Sequence, residues 1–165
     1  MARIVGIGNP LWDVFAPASS NVEVVERFGR GSVHHLAAGD MKRILPRVTE
    51  ARWVAGGGAR NTMAVLAALG QETYLGGAVG DDERGFGYRR ELSEAGIADC
   101  LASVPREPTG TCITLMHDTG ENTVIVSPGA ALELEDVSEA APRDPDIVLF
   151  EGFLGPRAGS AASSV

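Results

Sequence analysis

A chain of 165 residues with 44% apolar and 22% charged residues has the size and composition of a folded domain rather than a disordered segment. Lys and Arg total 14 against 22 Asp and Glu, and the formal charge of −8 argues against polyanionic partners, both nucleic acid and anionic membrane surfaces. Cys100 and Cys112 form neither a disulfide framework nor a Cys-x-x-Cys metal motif and read as two small buried hydrophobes suited to a reducing compartment.

The N-terminal residues, Met1 to Gly6, are strand-like and too glycine-rich for a signal-peptide core. No apolar run approaches the roughly eighteen residues of a membrane span, so a cytoplasmic protein is expected. Residues 3–8 (RIVGIG) predict a short buried strand, broken by Asn9-Pro10. Between 14 and 36 the pattern predicts short strands, Val22–Val25 and Ser32–Leu36, joined by Gly- and Ser-containing turns. Asp40 is positioned to cap a short helix, Met41–Leu45, that stops before Pro46. Trp53-Val54 ends another strand and runs into Gly56-Gly57-Gly58.

Ala59 to Leu69 carries apolar residues on two adjoining rows and predicts a helix buried nearly all round, ended by Gly70. Thr73–Val79 is the next strand, closed by Gly80-Asp81-Asp82. Residues 84–95 predict an amphipathic helix with Tyr88, Leu92 and Ala95 inward. Leu101–Val104 follows as a short strand, then Thr111–Met116 and Thr123–Val126 alternate like a hairpin. Residues 133–140 suggest a short acidic helix, and Ile147–Phe150 a buried strand. The order is an α/β layer carrying a small separate β-sheet. The tail, 158–165, rich in Ala, Ser and Gly, is expected to be disordered.

Gly6-Ile7-Gly8 lacks the third glycine and the immediate helix of a dinucleotide fingerprint, and Gly56–Thr62 lacks the Gly-Lys-Ser/Thr of a phosphate loop. Two other features point to an oxygen-rich ligand. Asp13 lies just beyond a buried strand, where ligands bind open α/β sheets, and its carboxylate can accept from two hydroxyls; a surface turn aspartate is the alternative. Gly56-Gly57-Gly58 opens a helix whose first N–H groups have no partners within the helix, and Asn61 both donates and accepts. A tight strand-to-helix turn with a structural asparagine is the alternative there. His34, His35 and His117 show no ligand spacing and read as strand residues without a metal.

Four stretches together resemble the ribokinase-like carbohydrate and nucleoside kinases, the PfkB family: IVGIGNPLWD (4–13), AGGGARN (55–61), GAVGDDERG (77–85) and PTGTCITLMHDTGENTVIVSPGAA (108–131). The resemblance spans roughly residues 3–154. NPLWD and PTGTC are similar to the adenosine-kinase branch, GENTVIVSPGA to the ribokinase branch, so sugar and nucleoside acceptors stay open. The resemblance implies the N-terminal half of a three-layer α/β/α core with a β-sheet lid. Residues 1–13, 37–109 and 128–157 would form the core, and 14–36 and 110–127 the lid. Asp13 would bind a hydroxyl pair, Gly56 and Gly57 would offer backbone N–H groups, Asn61 would bond another hydroxyl, and Glu151 would contact the sugar.

The family transfers the γ-phosphoryl of ATP, bridged by Mg²⁺, to a hydroxymethyl group. Its Gly-Ala-Gly-Asp segment, with base and anion hole, and its Asn-x-x-Glu segment are absent from this sequence. No catalytic residue is therefore expected here, nor ATP- or Mg²⁺-binding residues. The chain would supply the acceptor-binding half and lack activity alone, with a small-molecule sugar or nucleoside as ligand and a homodimer through the lid as partner. The other reading is a catalytically inactive binding module or truncated remnant.

Overall fold

The computed structural model describes residues 1–135 and 141–153. Two sheets share the chain. The first is parallel throughout and is built from β1 (Arg3–Ile7), β5 (Glu72–Gly80), β6 (Ile97–Val104) and β9 (Ile147–Phe150), in the order β6-β5-β1-β9. The second is mixed and holds β2 (Leu11–Pro17), β3 (Val33–His35), β4 (Arg52–Gly56), β7 (Thr109–Met116) and β8 (Asn122–Gly129), in the order β3-β8-β7-β2-β4.

Helices α3 (Gly58–Ala68) and α4 (Glu83–Glu94) cover one face of the parallel sheet. Met63, Tyr88 and Leu92 meet Ile4, Leu75, Val79 and Leu101 in the main core. Alternation along β1 turns Val5 and Ile7 to the opposite face, against Leu134. Arg89 ties α4 to β6 through both Asp99 carboxylate oxygens, at 2.7 and 2.6 Å, and through the Leu101 carbonyl.

The mixed sheet has a core of its own. α1 (Val22–Phe28) and α2 (Ala38–Ile44) pack Val24, Met41 and Ile44 on Val14, Ala16, Ile113, Leu115 and Ile125. The small sheet is thus a two-layer body, larger than the two segments assigned to it. It also takes in residues 11–13 and 52–56, because β2 starts at Leu11 and β4 pairs with it from Leu11↔Gly56.

Other expectations need correction. Val22–Val25 is helical, not extended: Glu23 in the first turn, Arg27 in the last, and Gly29 at φ 85 frame one helical segment. The helix near 41 begins earlier, and Asp40 lies inside its first turn while Ala37 holds the cap position. Helix α3 is not buried all round: Val65 is 60% and Leu69 70% exposed. β9 is an edge strand among the described residues, with Ile147 53% exposed. After β8 comes a 3-10 turn, Ala130–Glu133, and Leu134 and Glu135 are not helical, so the acidic helix expected over 133–140 does not start there; residues 136–140 lie outside the described residues. Outside them too lie the tail, 158–165, and the end of the core segment assigned to 157.

Candidate functional site

β1 lies between β5 and β9, so chain order and sheet order part company there, and ligands of open α/β sheets bind outside the carboxyl ends of such strands. The chain leaves β1 through Gly8 and the buried Asn9, then enters the second sheet. Glu151 follows β9 directly and donates its backbone N–H to the Ile7 carbonyl at 2.9 Å. Its carboxylate turns back over the β1 end. There Oε2 accepts from the backbone N–H of Asn9 at 3.1 Å and from that of Ala59, in the first turn of α3, at 3.4 Å. One acidic side chain therefore clamps the end of β1 to the start of α3, where the helix dipole favours negative charge. A methyl group on Gly8 would fall 2.3 Å from this carboxylate, so only glycine leaves room for it.

Asp13 approaches from the other sheet. It sits on β2, opposite Val54 on β4 and Cys112 on β7. Its carboxylate lies over Gly56, where a methyl group would be 2.0 Å from Oδ2 and 2.5 Å from Cγ. Burial pushes the Asp13 carboxyl above its ordinary value. The Cys112 thiol is raised to about 11, by burial first and by Asp13 second, which makes it a poor nucleophile. Gly57 adopts φ +100, and a side chain there would meet the Asn9 carbonyl at 2.4 Å. Two neighbouring glycines thus have different duties: one admits a carboxylate, the other turns the chain.

Tyr88 braces this turn from below. It is fully buried on α4 and donates its hydroxyl to the Gly56 carbonyl. Its acidity is suppressed by burial; Arg60 opposes this, and the fields of Asp13 and Glu151 add to it. Both carboxylates therefore act at one point.

The site residues do not all converge equally. Asp13 and Gly56 are in contact, and Gly57 abuts Asn9, which Glu151 also holds. Asn61 stands on the exposed side of α3, and its side-chain oxygen lies 3.5 Å from Arg60 Nη1. Asn9 is the residue that sequence reasoning passed over as a strand breaker. Its Nδ2 donates to the Phe153 carbonyl at 2.7 Å, while its Oδ1 is buried without a partner. Such an orphan acceptor costs about 1–3 kcal/mol until something donates to it. Its signal was available: a polar side chain between a buried strand and a proline has few ways to be satisfied.

Asp82, by contrast, is committed to structure. It caps α4 by accepting from Gly85 N at 2.8 Å and takes both the Thr109 hydroxyl, at 2.6 Å, and the Thr109 backbone N–H, at 3.0 Å. The Gly-Asp-Asp run thus fastens the parallel sheet to the root of β7. Burial alone would raise the Asp82 carboxyl, but the bonds from Thr109 and Gly85 prevail and hold it below its ordinary value. Among the described residues no group of three or more His, Cys, Asp or Glu side chains could hold a metal ion. Among them, too, no helix is long and apolar enough to cross a membrane.

The family described as pfkB family carbohydrate kinase matches residues 33–163. The chain belongs to this family. An ATP-dependent ribose-1-phosphate kinase of Halopiger xanaduensis is 29% identical over 151 residues, covering 90% of this chain and 45% of the relative. A ribokinase of Arabidopsis thaliana is 32% identical over 83 residues, 48% of this chain and 22% of that protein. Among solved structures, the adenosine kinase of Sinorhizobium meliloti superposes with a TM-score of 0.80 at 24% identity, covering 96% of this chain and 50% of the other. A probable sugar kinase of Rhizobium etli CFN 42 gives 0.81 at 23% identity, with 97% and 50% covered. The fold is thus the ribokinase-like α/β fold of adenosine and sugar kinases, and this pfkB chain spans about half the length of the relatives it matches.

Proposed function

We propose that this chain is the acceptor-binding half of an ATP-dependent sugar or nucleoside kinase. The observation that carries the reading is the run of contacts from Asp13 to Gly56, from Gly57 to Asn9 and from Asn9 to Glu151, with Asn9 Oδ1 unpaired. Two carboxylates and an amide oxygen along this run supply hydrogen-bond acceptors, which suits a ligand that brings several hydroxyl donors. The names of the relatives supply the class: ribose-1-phosphate, ribose and adenosine share a ribose ring. In this reading Asp13 accepts from two ring hydroxyls, and Asn9 and Asn61 bond further ones. The backbone of Gly56 and Gly57 touches the ring, and Glu151 holds the turn and contacts the sugar. Such fixed groups position the acceptor for transfer.

The step that removes the acceptor proton belongs to a part of the longer protein that this chain does not supply, since no Gly-Ala-Gly-Asp segment occurs in it. ATP and Mg²⁺ would be held by that part as well, and they supply the phosphoryl group and its charge neutralisation. A small-molecule sugar or nucleoside is the ligand, and a second copy is the proposed partner. The copies would meet on the Asp13 face of the mixed sheet, where Phe15, Val54 and Val126 share one side.

Calorimetry with ribose and with adenosine tests the reading. Saturable binding by the parent chain, lost in Asp13→Ala while the far-UV spectrum is kept, supports it. Absence of binding to either ligand, or retention in Asp13→Ala, overturns it. ATP turnover by this chain would show that it carries its own base and would overturn the half-site reading. The absence of the base motif equally favours a binding-only module, which shares the binding result. That module differs in giving no phosphoryl transfer even within the complete protein.

A further inference from the structure

A cavity lies on the opposite side of the mixed sheet from Asp13. Register fixes this: Asp13 pairs with Cys112, whereas Thr111 pairs with Trp12 and Ser127, and successive residues on a strand face opposite ways. The cavity measures about 730 Å³. Met41 and Leu45, near the end of α2, line it, together with Trp53 on β4, Arg84 on α4, and Thr111 and Ser127 on the central strands.

Two features indicate what it holds. The first is Thr111, only 1% exposed, whose hydroxyl has no hydrogen-bond partner. A buried hydroxyl left unpaired is costly, and the space beside it is the place from which a partner can come. One water could satisfy it, yet a water takes up roughly 30 Å³, far less than this volume. The size falls within the roughly 300–1,000 Å³ of small-molecule sites. The second is the wall. Trp53 offers an indole, Arg84 lies 5.2 Å over its ring, and Met41 and Leu45 add apolar surface. Lys42 and Arg84 among the lining residues are balanced by Asp82 and Glu83, so the cavity selects no net charge.

We infer that this cavity is a second small-molecule site, for a neutral planar heterocycle that lies along Trp53 and accepts a hydrogen bond from Thr111; a nucleobase is the type. The inference stands apart from the acceptor-site reading, because it uses no residue of that site.

The test is calorimetric titration of the intact chain with free adenine, which has no hydroxymethyl group. Saturable binding is expected. Thr111→Val keeps the shape, removes the hydroxyl, and should weaken adenine about fivefold or more without lowering thermal stability. Gly39→Leu provides a second variant. Gly39 lines the cavity within α2, and a side chain there enters open space. Leucine should intrude on the cavity from the α2 side, keep or raise stability by removing a helical glycine, and weaken binding. Asp13→Asn should bind adenine as the parent does. No saturable binding at millimolar adenine overturns the proposal. So does parent-like affinity in both Thr111→Val and Gly39→Leu, or loss in Asp13→Asn with retention in Thr111→Val.

Discussion

Gly56 and Asp13 form one unit. The sequence shows a glycine pair before a helix and suggests backbone contact with a ligand. It does not show that Gly56 lacks a side chain because a carboxylate from another strand occupies that volume. That fact depends on the β2–β4 register, which pairs Asp13 with Val54 and so sets it beside Gly56. Gly56→Ala would set a methyl 2.0 Å from Asp13 Oδ2, and overpacking of this kind costs about 1–3 kcal/mol. In an Asp13→Ala background the same change should cost much less, because the obstructing atoms are gone. Urea midpoints of the two single variants and the double variant measure that coupling; strict additivity would mean that the two residues do not collide.

Asp13 also gives a pH signature. Its carboxyl is raised in the folded protein, so folding disfavours the ionised form, and this cost is present above the ordinary value of 3.8. The cost fades as pH falls, once both states hold the proton. Asp13→Asn should therefore raise the urea midpoint at pH 7, with the difference from the parent closing towards pH 3. A destabilised Asp13→Asn at pH 7 would show instead that the charge has a partner.

Elements differ in how plainly the sequence announces them. α4 was legible because Tyr88, Leu92 and the outward Arg and Glu residues keep helical spacing, and Gly96 stops it. α1 was not, because Val-Glu-Val-Val satisfies the strand alternation equally well and its valines are β-branched. The cap of α4 matters more than its spacing. Asp82 joins three chain segments, and replacing it with Ala should cost roughly 2 kcal/mol, about half from the helix cap and half from the Thr109 bonds. The pH dependence runs opposite to that of Asp13. The Asp82 carboxyl is lowered by folding, so its contribution is present above 3.8 and is lost as pH falls through the folded-state value. Chemical denaturation at pH 7 and at acid pH should show the Asp82→Ala deficit shrinking on acidification; a deficit independent of pH would assign Asp82 only a steric role.

At the scale of the molecule, the candidate site was half legible. Glu151 is visible as a carboxylate at a strand end and Asp13 as one soon after a buried strand, but the clamp from Glu151 to Asn9 and Ala59 joins distant parts of the chain and follows only from β9 lying beside β1. The same placement governs association. β9 reads as a buried strand from its four apolar residues, yet among the described residues it is the sheet edge. Phe150 is 44% and Phe153 81% exposed beside it. An apolar edge strand with free ladder groups recruits another strand. The chain should therefore self-associate as concentration rises, and Phe150→Lys should suppress this in sedimentation velocity while leaving the monomer's melting temperature nearly unchanged, since a charge at an edge opposes pairing without entering a core. The proposed lid contact predicts a different result. Its face lies on the other sheet, around Phe15 and Val126, so association that survives Phe150→Lys and disappears in Val126→Lys belongs to the lid. Both routes are open to one chain because the two surfaces lie on different sheets.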